Sequence, residues 1–190
     1  NPASQEPKGP VHINAPFREP LYPEKDKNIE FDPEVRVIED HPPSQSFSVY
    51  VQEELMKEWS GSRTVLIVGG QYDYNPLLIE ALHQVQQKHH IPVAGDIISN
   101  LHRLDTNVAH ADIFLMNERI HRSLKPDLLI TFGKSVISKN LKLFLRSNPP
   151  RIHWHIQPAG EVADTFQSLT RILRITPASL FSTDSPKSPT

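Results

Sequence analysis

The sequence predicts an α/β fold: a doubly wound, mostly parallel sheet with helices on both faces. Three observations carry this. TVLIVGG (64–70) and DLLITFG (127–133) are continuous apolar runs ending in glycine, the pattern of strands buried on both faces. Amphipathic helical patterns stand between the strand patterns, as in βαβ units. Pro and Gly punctuate nearly every boundary.

Taken in order, VHIN (11–14) reads as a short strand fenced by Pro10 and Pro16, and residues 24–46 as a charged, proline-rich extended linker. Phe47, Val51, Leu55 and Trp59 recur at four-residue steps, predicting a helix that Gly61-Ser62 stops. Strand 64–70 follows. Asn75-Pro76 supplies an N-cap and first-turn proline for a helix with a buried stripe of Leu77, Leu78, Ala81, Leu82 and Val85. IPVAGD (91–96) reads as a short strand and residues 108–122 as a helix ended by Pro126. After strand 127–133, Ser138 caps a helix carrying Leu141, Phe144 and Leu145, which Pro149-Pro150 terminates. RIHWHIQ (151–157) and LTRILRI (169–175) complete the strands. Crossovers in such a sheet are right-handed. Ligands collect at the carboxyl ends of its strands, here GGQYDYN, AGDIISN, FGKSVISK and IQPAGE.

The chain has 190 residues, one domain with extensions. Its apolar content of 37% is low, and the deficit is local: 11 of the 18 prolines lie in residues 1–46 and 182–190. The organisation expected is the end of a preceding domain plus linker over 1–45, a folded domain over 46–182 and a disordered tail over 183–190. No Met opens the chain, so a segment of a longer protein is expected. With 20 basic and 22 acidic residues and no basic stripe interleaved with aromatics, nothing points to nucleic acid. No cysteine is present, which excludes disulfides, iron–sulfur clusters and thiolate zinc sites. No apolar run reaches membrane-spanning length and no signal peptide is visible, so the cytoplasm is the expected location.

GGQYDYN sits where a dinucleotide fingerprint would, but its glycines are adjacent and the GxGxxG spacing is absent. It reads as a tight turn needing positive φ at Gly69-Gly70. His153 and His155 share one strand face without a third metal ligand at suitable spacing, and His89-His90 places cations at a helix end. Asp96 reads as a cap or turn residue. In GKSVISKN (133–140), Lys134, Ser135, Ser138, Lys139 and Asn140 gather where a helix starts at the sheet's carboxyl edge. Free N–H groups and a lysine there suit an anion, and the competing reading is a plain cap with solvated lysines.

GPVHINAPFREPLYP (9–23) resembles the segment that closes the pyrimidine-binding domain in the 2-succinyl-5-enolpyruvyl-6-hydroxy-3-cyclohexene-1-carboxylate synthase family (MenD). TVLIVGG, the GD at 95–96 and FGKSVISKNLKLFL follow in that family's order, so the resemblance covers linker plus central domain. It implies a Rossmann-like central domain of a thiamine-diphosphate enzyme of menaquinone biosynthesis. The parent would decarboxylate 2-oxoglutarate and add the succinyl-semialdehyde unit to isochorismate, with thiamine diphosphate and Mg²⁺, as a homo-oligomer. In that family the activating glutamate lies in the first domain and the GDG metal–diphosphate motif in the third. This chain has no GDG, and GDII (95–98) does not replace it. The segment alone is therefore expected to bind no cofactor or metal and to be inactive, with no catalytic residue of its own. Some members carry consecutive basic residues at the SKN position, reaching a substrate carboxylate. Lys139 matches the first and Asn140 stands where the second would be, so the expected substrate-binding residues are Ser138, Lys139 and Asn140. Two other functions stay open: a nucleotide- or regulatory-ligand-binding Rossmann-like module, and a free-standing protein-interaction domain.

Overall fold

A computed structural model describes residues 38–40 and 48–182, all within one compact unit that begins at Ile38. The strand expected at 11–14, most of the 24–46 linker, Phe47 and the 183–190 tail lie outside the described residues. Among the described residues, seven parallel strands form one sheet: β1 (Glu39–Asp40), β2 (Val65–Gly69), β3 (Val93–Gly95), β4 (Asn107–Val108), β5 (Leu128–Phe132), β6 (Ile152–Ile156) and β7 (Arg171–Leu173). Their spatial order is β1-β7-β6-β5-β2-β3-β4. Counted from β2, this is the order of dinucleotide-binding sheets, with β1 added beyond β7. The predicted fold class is the observed one. Both edge strands are two residues long, which limits the backbone offered to another chain.

β5 and β6 are buried along their whole length, as the apolar run at 127–133 requires. One face of the sheet packs Ile67, Val93, Leu128, Ile130 and Trp154 under α1 (Val49–Ser60), α2 (Pro76–His89) and α6 (Pro177–Ser182). The other packs Val68, Ala94 and Leu129 against α3 (Ala111–Leu115) and α5 (Lys139–Ser147). Burying each such aliphatic side chain contributes about 1.5–3 kcal/mol.

α2 starts as the sequence predicts: Asn75 Oδ1 accepts from the N–H groups of Leu77 (3.0 Å) and Leu78 (3.2 Å), with Pro76 in the first turn. Its stripe is Leu78, Ala81, Leu82 and Val85; Leu77 is 70% exposed, one position outside that 3.6-residue repeat. α2 ends on His90, left-handed at φ 55°, whose N–H donates to Gln86 O. The helix does end on basic residues, Lys88 and then His89. Burial and neighbouring Lys88 push its imidazole below the usual histidine range.

The expected helix over 108–122 is also corrected. The segment splits into β4, α3, a 3₁₀ turn (Glu118–Ile120) and α4 (His121–Leu124). Asn117 causes the break: its side chain accepts from Arg119 N–H and offers the backbone an alternative to helix. His121 Nε2 then donates to Leu115 O (2.8 Å). The strand expected over 169–175 shortens to β7. α6 arises after it because Thr176 Oγ1 accepts from Ser179 N–H and Pro177 opens the helix.

Arg171, almost fully buried, ties β1 and α1 to the sheet. Its guanidinium lies 2.6 Å from Glu39, 3.3 Å from Glu54 and 3.1 Å from Glu58. Glu58 also accepts from Trp154 Nε1 (2.6 Å). No helix among the described residues is long and apolar enough to cross a membrane.

Candidate functional site

The strand order reverses between β2 and β5, and in open parallel sheets the crevice at that reversal is the default ligand position. Here the two loops that leave it bond to each other. Gly70 N–H donates to Phe132 O (2.8 Å), Gln71 N–H to Ser135 O (2.7 Å) and Lys134 N–H to Gln71 O (2.9 Å). Such closeness demands glycine: a Cβ on Gly70 would lie 2.8 Å from Lys134 O, and one on Gly133 would lie 2.7 Å from Gln71 O. The positive φ expected at Gly69-Gly70 falls instead on Gly133, at 79°. Gly69 is needed for packing, since its Cβ would lie 2.8 Å from Leu101 Cδ1.

A third loop joins through Asp96, which caps, as its sequence position suggested, and also reaches across the crevice. Its Oδ1 accepts from Ile98 N–H (3.3 Å), and its Oδ2 accepts from Ile137 N–H (2.6 Å) and Ser138 N–H (3.4 Å). Tyr72 N–H donates to Ile98 O and Asn100 Nδ2 to Tyr72 O, so the loops after β2, β3 and β5 form one hydrogen-bonded platform.

Ser138, Lys139 and Asn140 all lie at the start of α5 on this platform. Ser138 is buried and its Oγ accepts from Leu141 N–H (3.0 Å). Asn140 N–H donates to Asp112 Oδ1 (3.1 Å), and its side-chain amide donates to Asp112 O (3.2 Å). Lys139, between them, is exposed. At this helix start the N–H groups of Ile137, Ser138 and Asn140 are engaged by two carboxylates and that of Leu141 by Ser138 Oγ; the helix dipole favours negative charge there by about 0.3–1 kcal/mol at an exposed site. Lys139's ammonium is the cationic group of the expected trio. Asp112 was not legible in the sequence, because the continuous helix expected over 108–122 gave it no reason to face α5.

A second polar constellation lies on β5 and β6. His153 and His155 do share a face, and Thr131 stands between them: its Oγ1 is 2.8 Å from His153 Nε2 and 2.8 Å from His155 Nδ1. His153 Nδ1 meets Ser168 Oγ (3.1 Å), and His155 Nε2 meets Gln157 Oε1 (3.3 Å). The protons can be assigned from one end. Gln157 Nε2 donates to Ala159 O and Glu161 O, so its Oε1 accepts and His155 Nε2 carries a hydrogen. Thr131 then donates to His155 Nδ1 and His153 Nε2 donates to Thr131, with Ser168 Oγ as the partner of the other His153 nitrogen. Burial pushes the His155 imidazole below its ordinary range; Gln157 opposes this and the Arg174 charge adds to it. The hydrogen-bonded chain lines a cavity of about 170 Å³ whose wall also includes Gly70, Gly133 and Lys134. Among the described residues, no group of three His, Asp or Glu side chains is placed to hold a metal ion.

The family described as "Middle domain of thiamine pyrophosphate" matches residues 37–189. The chain belongs to that family. It is 37% identical over 172 residues to a 2-succinyl-5-enolpyruvyl-6-hydroxy-3-cyclohexene-1-carboxylate synthase of Cytophaga hutchinsonii, covering 89% of this chain and 30% of the relative. It is 34% identical over 173 residues to the synthase of that name from Bacteroides thetaiotaomicron, covering 90% and 30%. For the one from Flavobacterium johnsoniae the identity is 32% over 182 residues, covering 95% and 32%. The chain thus spans about a third of the length of these curated relatives.

The middle-domain residues described here do not fit thiamine diphosphate or its metal. The crevice N–H groups of residues 70, 71, 134, 137 and 138 already have protein acceptors, and no carboxylate cluster stands beside them.

Proposed function

We propose that this middle domain works inside a 2-succinyl-5-enolpyruvyl-6-hydroxy-3-cyclohexene-1-carboxylate synthase. That enzyme decarboxylates 2-oxoglutarate on thiamine diphosphate, with Mg²⁺, and adds the resulting unit to isochorismate. Within it the segment is a scaffold with one substrate-facing loop, Ser138–Lys139–Asn140, and is inactive alone. The complete enzyme is a cytoplasmic homo-oligomer that holds cofactor and metal in its other domains. The observation that carries the reading is the exposed Lys139 on a cross-bonded loop platform at the sheet's carboxyl edge.

The nucleotide-binding reading has the strand order in its favour. Against it stands the crevice itself, where a pyrophosphate would have to displace Asp96 and the carbonyls of Phe132, Ser135 and Gln71.

The test is Lys139→Ala in the complete enzyme. A hydrogen bond to a charged group contributes about 1.5–3 kcal/mol. Loss of one should weaken isochorismate use by roughly 10- to 150-fold. The 2-oxoglutarate KM should barely move. An isochorismate kcat/KM equal to wild type would sink the reading.

A further inference from the structure

We propose that Asp96 and Asp112 are positioning residues for the Lys139 loop, holding its backbone from both sides so that the ammonium is presented from a fixed base. This rests on the substrate-facing reading of Lys139 and adds the residues that make it work.

The two carboxylates come from different elements. Asp96 follows β3 and Asp112 lies in the first turn of α3, yet both end on the four-residue stretch that contains Lys139. Asp96 Oδ2 takes the N–H groups of Ile137 and Ser138, immediately before the lysine. Asp112 Oδ1 takes the N–H of Asn140, immediately after it. Asn140 returns a second bond from its side chain to the Asp112 carbonyl, and Ser138 Oγ closes the first turn on Leu141 N–H.

The Asp96 end is itself fixed. Its other oxygen holds Ile98 N–H, and its carbonyl accepts from Ser99 Oγ (2.6 Å) and Ser99 N–H (3.0 Å). The space between β3 and this turn is closed: a Cβ on Gly95 would lie 2.5 Å from Ser99 Oγ. A long lysine on a loose loop would lose rotamer and backbone freedom together on meeting a substrate carboxylate. With the backbone already ordered, only the side chain is left to order.

Carboxylates beside a substrate-binding lysine are otherwise unfavourable, because they repel a substrate anion. Their placement follows if each is neutralised by backbone N–H groups. Asp96 accepts three N–H bonds and Asp112 accepts one at the start of a helix, where negative charge is favoured. Repulsion and positioning predict opposite results when the charge is removed but the bond is kept, and Asp112→Asn does this.

In the complete enzyme, Asp96→Asn, Asp112→Ala and Asp112→Asn would each be made alone and with Lys139→Ala. Hydrogen exchange of peptides spanning 133–145 reads the loop, and steady-state kinetics with isochorismate varied reads its use. Asp96→Asn and Asp112→Ala should speed exchange in that peptide by at least about tenfold. They should raise the isochorismate KM by roughly tenfold, within the ~100-fold that a displacement of about 1 Å can bring. Both effects on KM should vanish in the Lys139→Ala background, and Asp112→Asn, which keeps an acceptor for Asn140 N–H, should rescue wild-type behaviour. Unchanged exchange overturns the proposal. So do KM effects that add in full to that of Lys139→Ala, or an Asp112→Asn enzyme that binds isochorismate more tightly than wild type. An unchanged isochorismate KM in Lys139→Ala alone sinks the substrate-facing reading instead; the exchange result then decides by itself whether the carboxylates hold the loop.

Discussion

Thr131→Val should be among the most damaging isosteric changes in this domain. Thr131 is 4% exposed and its neighbours His153 and His155 are 2% and 9% exposed, so a lost partner leaves their nitrogens facing only the small cavity they line. One hydroxyl serves two imidazoles, accepting from His153 Nε2 and donating to His155 Nδ1. Valine keeps the shape and opens no cavity. It leaves two buried ring nitrogens unsatisfied, each at about 1–3 kcal/mol, so the expected loss is about 2–6 kcal/mol. Against a typical total of about 5–15 kcal/mol, that is a large fraction. Urea unfolding of the 190-residue chain near neutral pH measures it, with an unchanged m-value as the sign that only stability moved. Thr131→Ser is the control: it keeps the hydroxyl and loses a methyl, at about 0.5–1.5 kcal/mol by the scale of single-methyl deletions. A Thr131→Val loss below about 1 kcal/mol, the net value of one ordinary hydrogen bond, would refute the relay.

Acid should unfold the domain earlier than its carboxylates alone would dictate. Burial holds His155 and His89 below their ordinary range, so the unfolded chain takes up protons near pH 6.5 that the folded chain refuses. Their contribution is fully present above that pH and is lost as pH falls, by up to about 1.4 kcal/mol per pH unit for buried His155 and by less for His89, which solvent screens. A urea midpoint that stays flat between neutral pH and the unfolded histidine range would contradict this. At the sheet edge, Glu58→Ala removes one of the three carboxylates on Arg171 and the acceptor of Trp154 Nε1. The expected loss is about 3 kcal/mol, the low end for breaking a buried pair because Glu39 and Glu54 remain. Glu58→Gln should recover part of it, and a Glu58→Ala variant as stable as wild type would rule the account out.

The sheet was legible because its signal is local. A strand buried on both faces must be mostly apolar, and 64–70 and 127–133 are, with Thr131 as the buried polar exception. The caps at Asn75 and Ser138 were legible for the same reason: the cap and the N–H it accepts are within three residues of each other. Misreadings arose where a single polar side chain outcompeted a helical pattern, as Asn117 does, or where a residue sits one position off a stripe, as Leu77 does. Lys139 could be named from the sequence, but its surroundings could not. Asp96 lies 41 residues from Ile137, and Asp112 lies 28 from Asn140. Only the packed sheet brings them together. The same holds for Thr131 and the two histidines, which pair through strand register rather than spacing: Leu129 lies opposite His153 and Thr131 opposite His155.

A sheet with this strand order offers a ready crevice, and fold alone would predict a phosphate in it. What sits there instead is the protein's own backbone, brought close enough at Gly70 and Gly133 that no Cβ fits. The consequence is mechanical. An empty phosphate loop must keep its N–H groups free and its backbone able to adapt. A loop whose N–H groups are already bonded has little freedom to adapt, and it becomes a rigid base. Here the three loops at the carboxyl edge are cross-bonded at Gln71, Tyr72, Asp96, Lys134 and Ile137, and the next residues along the chain carry Lys139. On the reading proposed for Lys139, rigidity at that edge serves a lysine that meets a substrate held elsewhere, which a dinucleotide site would not need. If Lys139 has that role, the glycines and the aspartate that fill the crevice are also the residues that fix the base of its loop.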